Sequence, residues 1–309
     1  MPTAFLRHAD CLLHDMGAHH PESPARLSAI EDHLLATGII HHLLEREAPL
    51  ARRESVVRVH ASDYLDSIEA SVPAHGIVHL DPDTAMCPHS WRAALRAAGA
   101  VVAATDIVMA GEADSAFCCV RPPGHHAERR RAMGFCLLNN VAIGAAHALE
   151  EYRLDRVAIV DFDVHHGNGT EEIFRDDPRV LMVSTFQHPF YPYSGVEGRS
   201  PRMVNVPLKA YSGGREFREA VEHAWMPALL DFAPQLIFVS AGFDAHREDD
   251  MAMLNLTEND YAWVTRKIRE QSLRSANGRV VSTLEGGYEL SALARSVAAH
   301  LRALADLDA

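Results

Sequence analysis

The chain has 309 residues, 48% hydrophobic and 23% charged, and its 29 Lys+Arg against 42 Asp+Glu give a formal net charge of −13. That length accommodates one large α/β domain or two modest ones and is ample for a full buried core. The acidic balance repels phosphate backbones, which excludes nucleic-acid binding as the main task and favours cationic partners such as polyamines or Lys-rich peptides. Starting at the N-terminus, Met1–His8 lacks the basic start and long apolar core of a signal peptide. No stretch reads as the ~20 apolar residues that a membrane helix needs. In chain order the patterning then predicts a helix over Ser90–Ala110, a strand over Ala116–Val120, a helix over Asn139–Glu151, and strands over Arg156–Val160 and Val180–Ser184. Further on it predicts a helix over Glu216–Phe232, a strand over Leu236–Ser240, a helix over Thr257–Ser275, a strand over Arg279–Leu284 and a helix over Ser291–Leu307. The strands are short and rich in Val, Ile or Phe, as strands buried on both faces are. Their alternation with helices predicts an α/β fold with a parallel sheet covered on both sides. With no linker, repeat or low-complexity tract, residues 1–309 read as one domain.

The five cysteines (Cys11, Cys87, Cys118, Cys119, Cys136) are odd in number and form no CxxC. A reduced cytoplasmic chain is therefore expected, with Cys118 and Cys119 as small core residues. The 20 histidines direct attention to metal or proton-transfer chemistry.

Four of the predicted strands run directly into polar residues. Ala116–Val120 leads to Arg121-Pro122-Pro123-Gly124-His125-His126, and Arg156–Val160 to Asp161-Phe162-Asp163-Val164-His165-His166-Gly167-Asn168. Leu236–Ser240 leads to Ala241-Gly242-Phe243-Asp244, and Arg279–Leu284 to Glu285-Gly286-Gly287-Tyr288. In open parallel sheets the carboxyl edge is where ligand sites form. Asp163 and His165, two apart at a strand end, point to one side and can share a cation, with Asp244 as a third ligand. Two carboxylates and one imidazole leave a coordination position open, as catalytic sites do, and suit Zn²⁺ as well as Fe²⁺ or Co²⁺. The plainer alternative is that the two aspartates cap helices and His165 is a core residue. His125-His126, on a turn that Gly124 permits, offers a general base whose tautomers Asp161 and Asn168 can fix. The other doublets, His19-His20 and His41-His42, read as surface or structural residues. Tyr288, after two glycines, can donate to a developing oxyanion or be a plain surface tyrosine.

These stretches, with Met133-Gly134-Phe135-Cys136, Asn139-Asn140 and His20-Pro21-Glu22-Ser23-Pro24-Ala25-Arg26-Leu27, resemble the zinc-dependent histone deacetylase superfamily in motif content and order. That superfamily includes bacterial histone-deacetylase-like amidohydrolases and acetylpolyamine amidohydrolases, and Pro-Pro-Gly before the histidines with Asn168 after the ligands resembles its class II branch. The resemblance implies the arginase/deacetylase three-layer α/β/α sandwich with a mostly parallel sheet. It implies that Asp163, His165 and Asp244 hold Zn²⁺ and that His126 is the general base. His125 is then its electrostatic partner, Asp161 pairs with His125 and Asn168 with His126, and Tyr288 binds the carbonyl oxygen. Phe135 and Tyr191 become the walls of an acyl-lysine tunnel that Gly124, Gly286, Gly287 and Met251 complete, and Arg26 lies in an internal channel. A structural K⁺ or Na⁺ is implied at Asp161, Asp163, His165, Ser184 and Thr185, and a second at Phe174, Asp177 and Val180.

The implied activity is hydrolysis of acyl-lysine amides in proteins or peptides; small acetylated amines are the alternative substrates, and a catalytically silent metal-binding scaffold is the other class of function. Met251 stands where polyamine-specific relatives carry a Glu, whereas Asp81, Asp83, Glu248, Asp249 and Asp250 crowd the expected rim. Arg129-Arg130-Arg131 is expected near the mouth, as a solvated basic loop or as an attractor of acidic groups. No nucleic acid or membrane partner is implied, and an oligomer is compatible.

Overall fold

In the computed structural model, which describes residues 2–197 and 200–307, the five predicted strands are all present and three more extend the sheet. The strands are β1 (Thr3–Arg7), β2 (Leu43–Glu47), β3 (Val78–His79), β4 (Ala85–Met86), β5 (Ser115–Cys118), β6 (Val157–Asp161), β7 (Val180–Gln187), β8 (Met203–Leu208), β9 (Leu236–Ala241) and β10 (Val280–Leu284). The α-helices are α1 (Ala25–Ala36), α2 (Arg53–Val56), α3 (Ser62–Ala70), α4 (Ser90–Ala110), α5 (Asn140–Glu151), α6 (Asn168–Phe174), α7 (Gly214–Ala220), α8 (Met226–Phe232), α9 (Glu258–Ser275) and α10 (Leu290–Leu304). Apart from the small antiparallel pair β3-β4, the strands form an eight-stranded parallel sheet in the order β2-β1-β5-β10-β9-β6-β7-β8.

The alternation of side chains along the strands sets the three layers. Ser282 of β10 reaches His300 of α10 at 2.9 Å, and its register partner is Val239 of β9. Phe238, one residue earlier, therefore points to the opposite face, where it meets Gly144 of α5 so closely that a Cβ there would lie 2.9 Å from its ring. Helices α1, α9 and α10 pack together on one side of the sheet, and α4 packs with α5 on the other. Strands β5, β6, β9 and β10 are buried throughout, which is why they read as unbroken apolar runs.

Three sequence expectations need correction. The 21-residue helix α4 is long and apolar enough to cross a membrane by length and composition, contrary to the reading that no stretch approaches that. More than half of its most apolar stretch is buried, however, and it packs against α5 and β5 as a core helix does. The helix expected over Glu216–Phe232 begins at Gly214 and is split by a π-turn over Val221–Trp225, which turns Trp225 into the core. The apolar pattern does not reveal β1, β2 and β8 of the main sheet or the short β3-β4 pair: β2 carries Glu45-Arg46-Glu47 and β8 carries Asn205 and Pro207. Polar residues and proline on edge strands discourage pairing with other chains, and the same residues blur the apolar signal.

Strands β5, β10, β9 and β6 are neighbours in that order, so the four polar loops identified in the sequence leave the sheet side by side.

A buried Asp-His-Asp centre under an aromatic cavity

Just past β6, Asp163 and His165 meet Asp244, which follows β9, and one ligand atom of each lies within 4.8 Å of the others. His165 Nδ1 is 3.0 Å from Asp163 Oδ1 and 3.2 Å from Asp244 Oδ2. Backbone amides hold both carboxylates. His165 N donates to Asp163 Oδ1 at 2.8 Å, Gly286 N to Asp163 Oδ2 at 2.9 Å, and Val164 N to Asp244 Oδ1 at 2.9 Å. Asp244 Oδ2 is buried and makes no hydrogen bond among the described residues. Glycine is required where backbone passes this close. A Cβ on Gly242 would lie 2.0 Å from Asp163 Oδ2, and one on Gly286 2.0 Å from Asp244 Oδ2.

Two buried carboxylates facing one imidazole favour positive charge on it. Burial and the neighbouring Asp163 push Asp244 up to about 6. Burial opposes charge on His165, but its contacts with Asp163 and Asp244 prevail and raise it to about 10. The donor set of two carboxylates and an imidazole, with the buried Asp244 Oδ2 outside any hydrogen bond among the described residues, fits a divalent cation, which takes the place of those protons.

The two histidines after β5 are differentiated by their partners. His125 Nδ1 lies 2.9 Å from Asp161 Oδ2, and His126 Nδ1 lies 2.7 Å from Asn168 Oδ1. Burial opposes charge on His125, but Asp161 and Asp163 overcome it and hold His125 well above the ordinary imidazole value. Burial lowers His126, with His125 and His165 adding to the effect. Asn168 Oδ1 can only accept, so the His126 proton sits on Nδ1 and its Nε2 carries a free lone pair. The result is an imidazolium beside a neutral base, their ring centroids 4.1 Å apart. Asn168 is itself held by donating to Glu128 Oε1 at 2.8 Å.

Above these groups lies a cavity of about 290 Å³ lined by His125, His126 and His165 and walled by Phe135, Phe190, Tyr191, Met251, Gly286 and Tyr288. Tyr191 packs edge-on against His126, Phe190 stacks on His165, and Phe135 meets Tyr288 edge-on. Phe135 has a φ of +67°, reached beside Gly134 at +56°, where a Cβ would meet the His126 ring at 2.4 Å. Burial pushes the Tyr288 phenol well above its ordinary value, so it stays a donor, and the Arg26 guanidinium lies 4.9 Å from its ring centroid. Arg26 is fully buried and donates to the carbonyls of Gly287 and Glu285 and to Glu22.

Other expected residues fall elsewhere. Gly124 and Gly287 do not line the cavity: Gly124 is packed against the backbone of Asn140, and Gly287, at φ +120°, lies against Leu293 and Phe243. Asp249 is no rim acid. It is 5% exposed, and its Oδ2 accepts from Tyr288 N at 2.6 Å and Glu289 N at 3.0 Å. Glu248 pairs with Arg295, Arg130 with Asp63, and the Arg129 amide with Glu172. His20, expected to be a surface or structural residue, meets Phe135 edge-on at 4.7 Å. Asp83 lines the cavity, with burial and Asp81 raising its pKa. Ser184 of β7 pairs in register with Asp161, and its hydroxyl is buried without a hydrogen-bond partner among the described residues. Near the start of β7, Asp177 N donates to Phe174 O and Val180 N to Asp177 O. Phe190 and Asp249 were not assigned these roles from the sequence, although Phe190 precedes Tyr191 and Asp249 sits two before Met251.

The chain is similar to known proteins over nearly its whole length. Residues 20–304 match the histone deacetylase domain family. A histone deacetylase-like amidohydrolase of Pseudomonas aeruginosa is 38% identical over 313 residues, covering 93% of this chain and 81% of that one. Polyamine deacetylase HDAC10 of Mus musculus is 35% identical over 324 residues, covering 96% of this chain and 47% of that one. The crystal structure of the HDA15 HD domain superposes with a TM-score of 0.93 at 33% identity, over 99% of this chain and 90% of that one.

Proposed function

As the chain belongs to the histone deacetylase family and is a hydrolase acting on amide bonds, we propose that its substrates are acyl-lysine side chains of proteins or peptides and that Zn²⁺ serves it at Asp163, His165 and Asp244, where Fe²⁺ or Co²⁺ can substitute. The observation that carries this reading is the aromatic cavity lined by His126 and by His165 of the Asp-His-Asp trio. A long apolar stem fits between Phe135, Phe190 and Tyr191, delivering its amide to the floor while the rest of a peptide stays outside.

When bound, the cation supplies Lewis acidity, polarising the amide carbonyl and acidifying water. The chain's own groups do the rest. His126 Nε2, with Nδ1 committed to Asn168, takes the proton of the attacking water. His125, held as an imidazolium by Asp161, stabilises the negative charge that develops beside it and supports proton delivery to the departing lysine amine. The Tyr288 phenol donates to the carbonyl oxygen as it becomes an oxyanion. Asp249, gripping the Tyr288 and Glu289 amides, keeps that phenol in place. A monovalent cation, K⁺ or Na⁺, is proposed at main-chain oxygens of Asp161, Asp163, His165 and Thr185, a reading supported by the unpartnered Ser184 hydroxyl; a second is proposed at Phe174, Asp177 and Val180.

Asp83 favours a second reading, small acetylated amines. A half-buried carboxylate on the cavity wall can face a second ammonium, whereas Met251 offers that ammonium nothing. Hydrolysis rates of the Zn²⁺-loaded chain on matched acetyl-lysine peptides, N-acetylputrescine and N-acetylspermidine decide between them. A kcat/KM preference for peptides of about 10²-fold, roughly 2.7 kcal/mol of transition-state discrimination, is the expected result. The reverse preference transfers the function to acetylpolyamines.

A further inference from the structure

The geometry points to Glu285 as a positioning residue that locks the histidine loop and the tyrosine loop into one unit. Glu285 is fully buried one residue past β10, three before Tyr288. Its Oε2 accepts two consecutive backbone amides of the other loop, Gly124 N at 2.6 Å and His125 N at 3.1 Å. Its Oε1 accepts from Ser240 Oγ at 3.2 Å near the end of β9, and its own amide donates to Ala241 O at 2.9 Å. Its carbonyl receives the Arg26 guanidinium, and the next amide, Gly286 N, holds Asp163. One side chain thus joins the exits of β5, β9 and β10, which carry the histidine pair, Asp244 and Tyr288.

A surface carboxylate has water for its lone pairs; a buried one persists only where donors converge on it. Here the donors are the backbone of the catalytic loop itself, so shifting that loop strands the carboxyl. Burial raises Glu285 to about 7. The proton, when present, belongs on Oε1 facing Ser240, because both amides at Oε2 require an acceptor. The clamp therefore needs the shape and the acceptor oxygen, not the charge. Glutamine supplies both: its carbonyl oxygen takes the two amides and its NH₂ faces Ser240. Aspartate, one methylene shorter, keeps the charge and loses the reach.

This role rests on the functions proposed above for His126 and Tyr288, so its test includes a readout that needs neither. The metal-loaded full chain, E285Q and E285D are compared by kinetics on an acetyl-lysine peptide and by hydrogen exchange of the 121–128 backbone. E285D is expected to lose about 10²-fold in kcat with KM and metal content near wild type, since small misplacements of reacting groups cost that much. Its Gly124 and His125 amides should exchange about tenfold faster, as expected for a locally released segment. E285Q should keep both near the wild-type values, which decides the matter even if E285D does not fold. Unchanged exchange in E285D, or an E285Q as defective as E285D, overturns the clamp. A wild-type chain without turnover but with the expected exchange pattern contradicts the proposed function and leaves the clamp supported.

Discussion

Tyr288 tests the division of labour at the level of single residues. Its phenol is the one proposed donor to the oxyanion that is not also a metal ligand or a histidine. Y288F should retain its metal and lose about 10²–10³-fold in turnover, the typical cost of one oxyanion donor; metal analysis beside steady-state kinetics checks both halves, and normal turnover removes the phenol from the mechanism. The asymmetry of His125 and His126 was readable in the sequence because each partner, Asp161 and Asn168, lies in the same motif as Asp163 and His165. Asp249 and Glu285 were not readable in this way. Their work is done on backbone amides, 39 residues away for Asp249 and 161 for Glu285. An amide carries no side-chain signature, so nothing in the local sequence distinguishes such a clamp from an exposed acid. Sequence alone therefore places Asp249 among the rim acids.

Individual elements carry the site by where they end and by what they cannot accommodate. Helix α5 begins on Asn139, whose Oδ1 accepts Ala142 N at 3.0 Å while its Nδ2 donates to Ala127 O at 3.1 Å in the histidine loop. N139A should lower stability by about 1–2 kcal/mol, a usual cost for a lost N-cap, and reduce kcat more than KM, which urea unfolding and kinetics measure together. After β9, Gly242 faces Asp163 with no room for a Cβ. G242A should weaken metal affinity about 10–100-fold, the scale seen when groups supporting a ligand are disturbed, and competition with a chelator measures it. The central strands were readable because burial on both faces leaves continuous apolar runs. The edges β2 and β8 were not, since polar residues and proline there guard against mispairing. The π-turn at Val221–Trp225, with Val221 and Trp225 buried, departs from the regular helical period that the sequence pattern follows.

Across the whole molecule, both ends of the chain share one core: β1 and β10 flank β5, and α1 packs on α10. His300 sits in it, bridging Thr265 of α9 at 2.7 Å and Ser282 of β10 at 2.9 Å as a neutral imidazole, with burial lowering it to about 3. In the unfolded chain this histidine protonates near 6.5. Between those values the unfolded state binds the extra proton, so stability falls with falling pH by about 1.4 kcal/mol per unit from this group alone. H300Q should therefore show a shallower loss of stability between about pH 6.5 and 4 than the parent chain, whatever its stability at pH 7; parallel slopes in urea unfolding contradict the assignment. The layered fold as a whole was readable from alternating strands and helices, and α4 shows the limit of composition, since a buried core helix and a membrane span share it. The central claim is that one divalent cation at Asp163, His165 and Asp244 enables amide hydrolysis. Its most direct test is turnover of an acetyl-lysine peptide as Zn²⁺ is added back to chelated protein. A linear rise that levels off at one equivalent per chain is predicted; full activity in the chelated protein, with metal absent by elemental analysis, contradicts it.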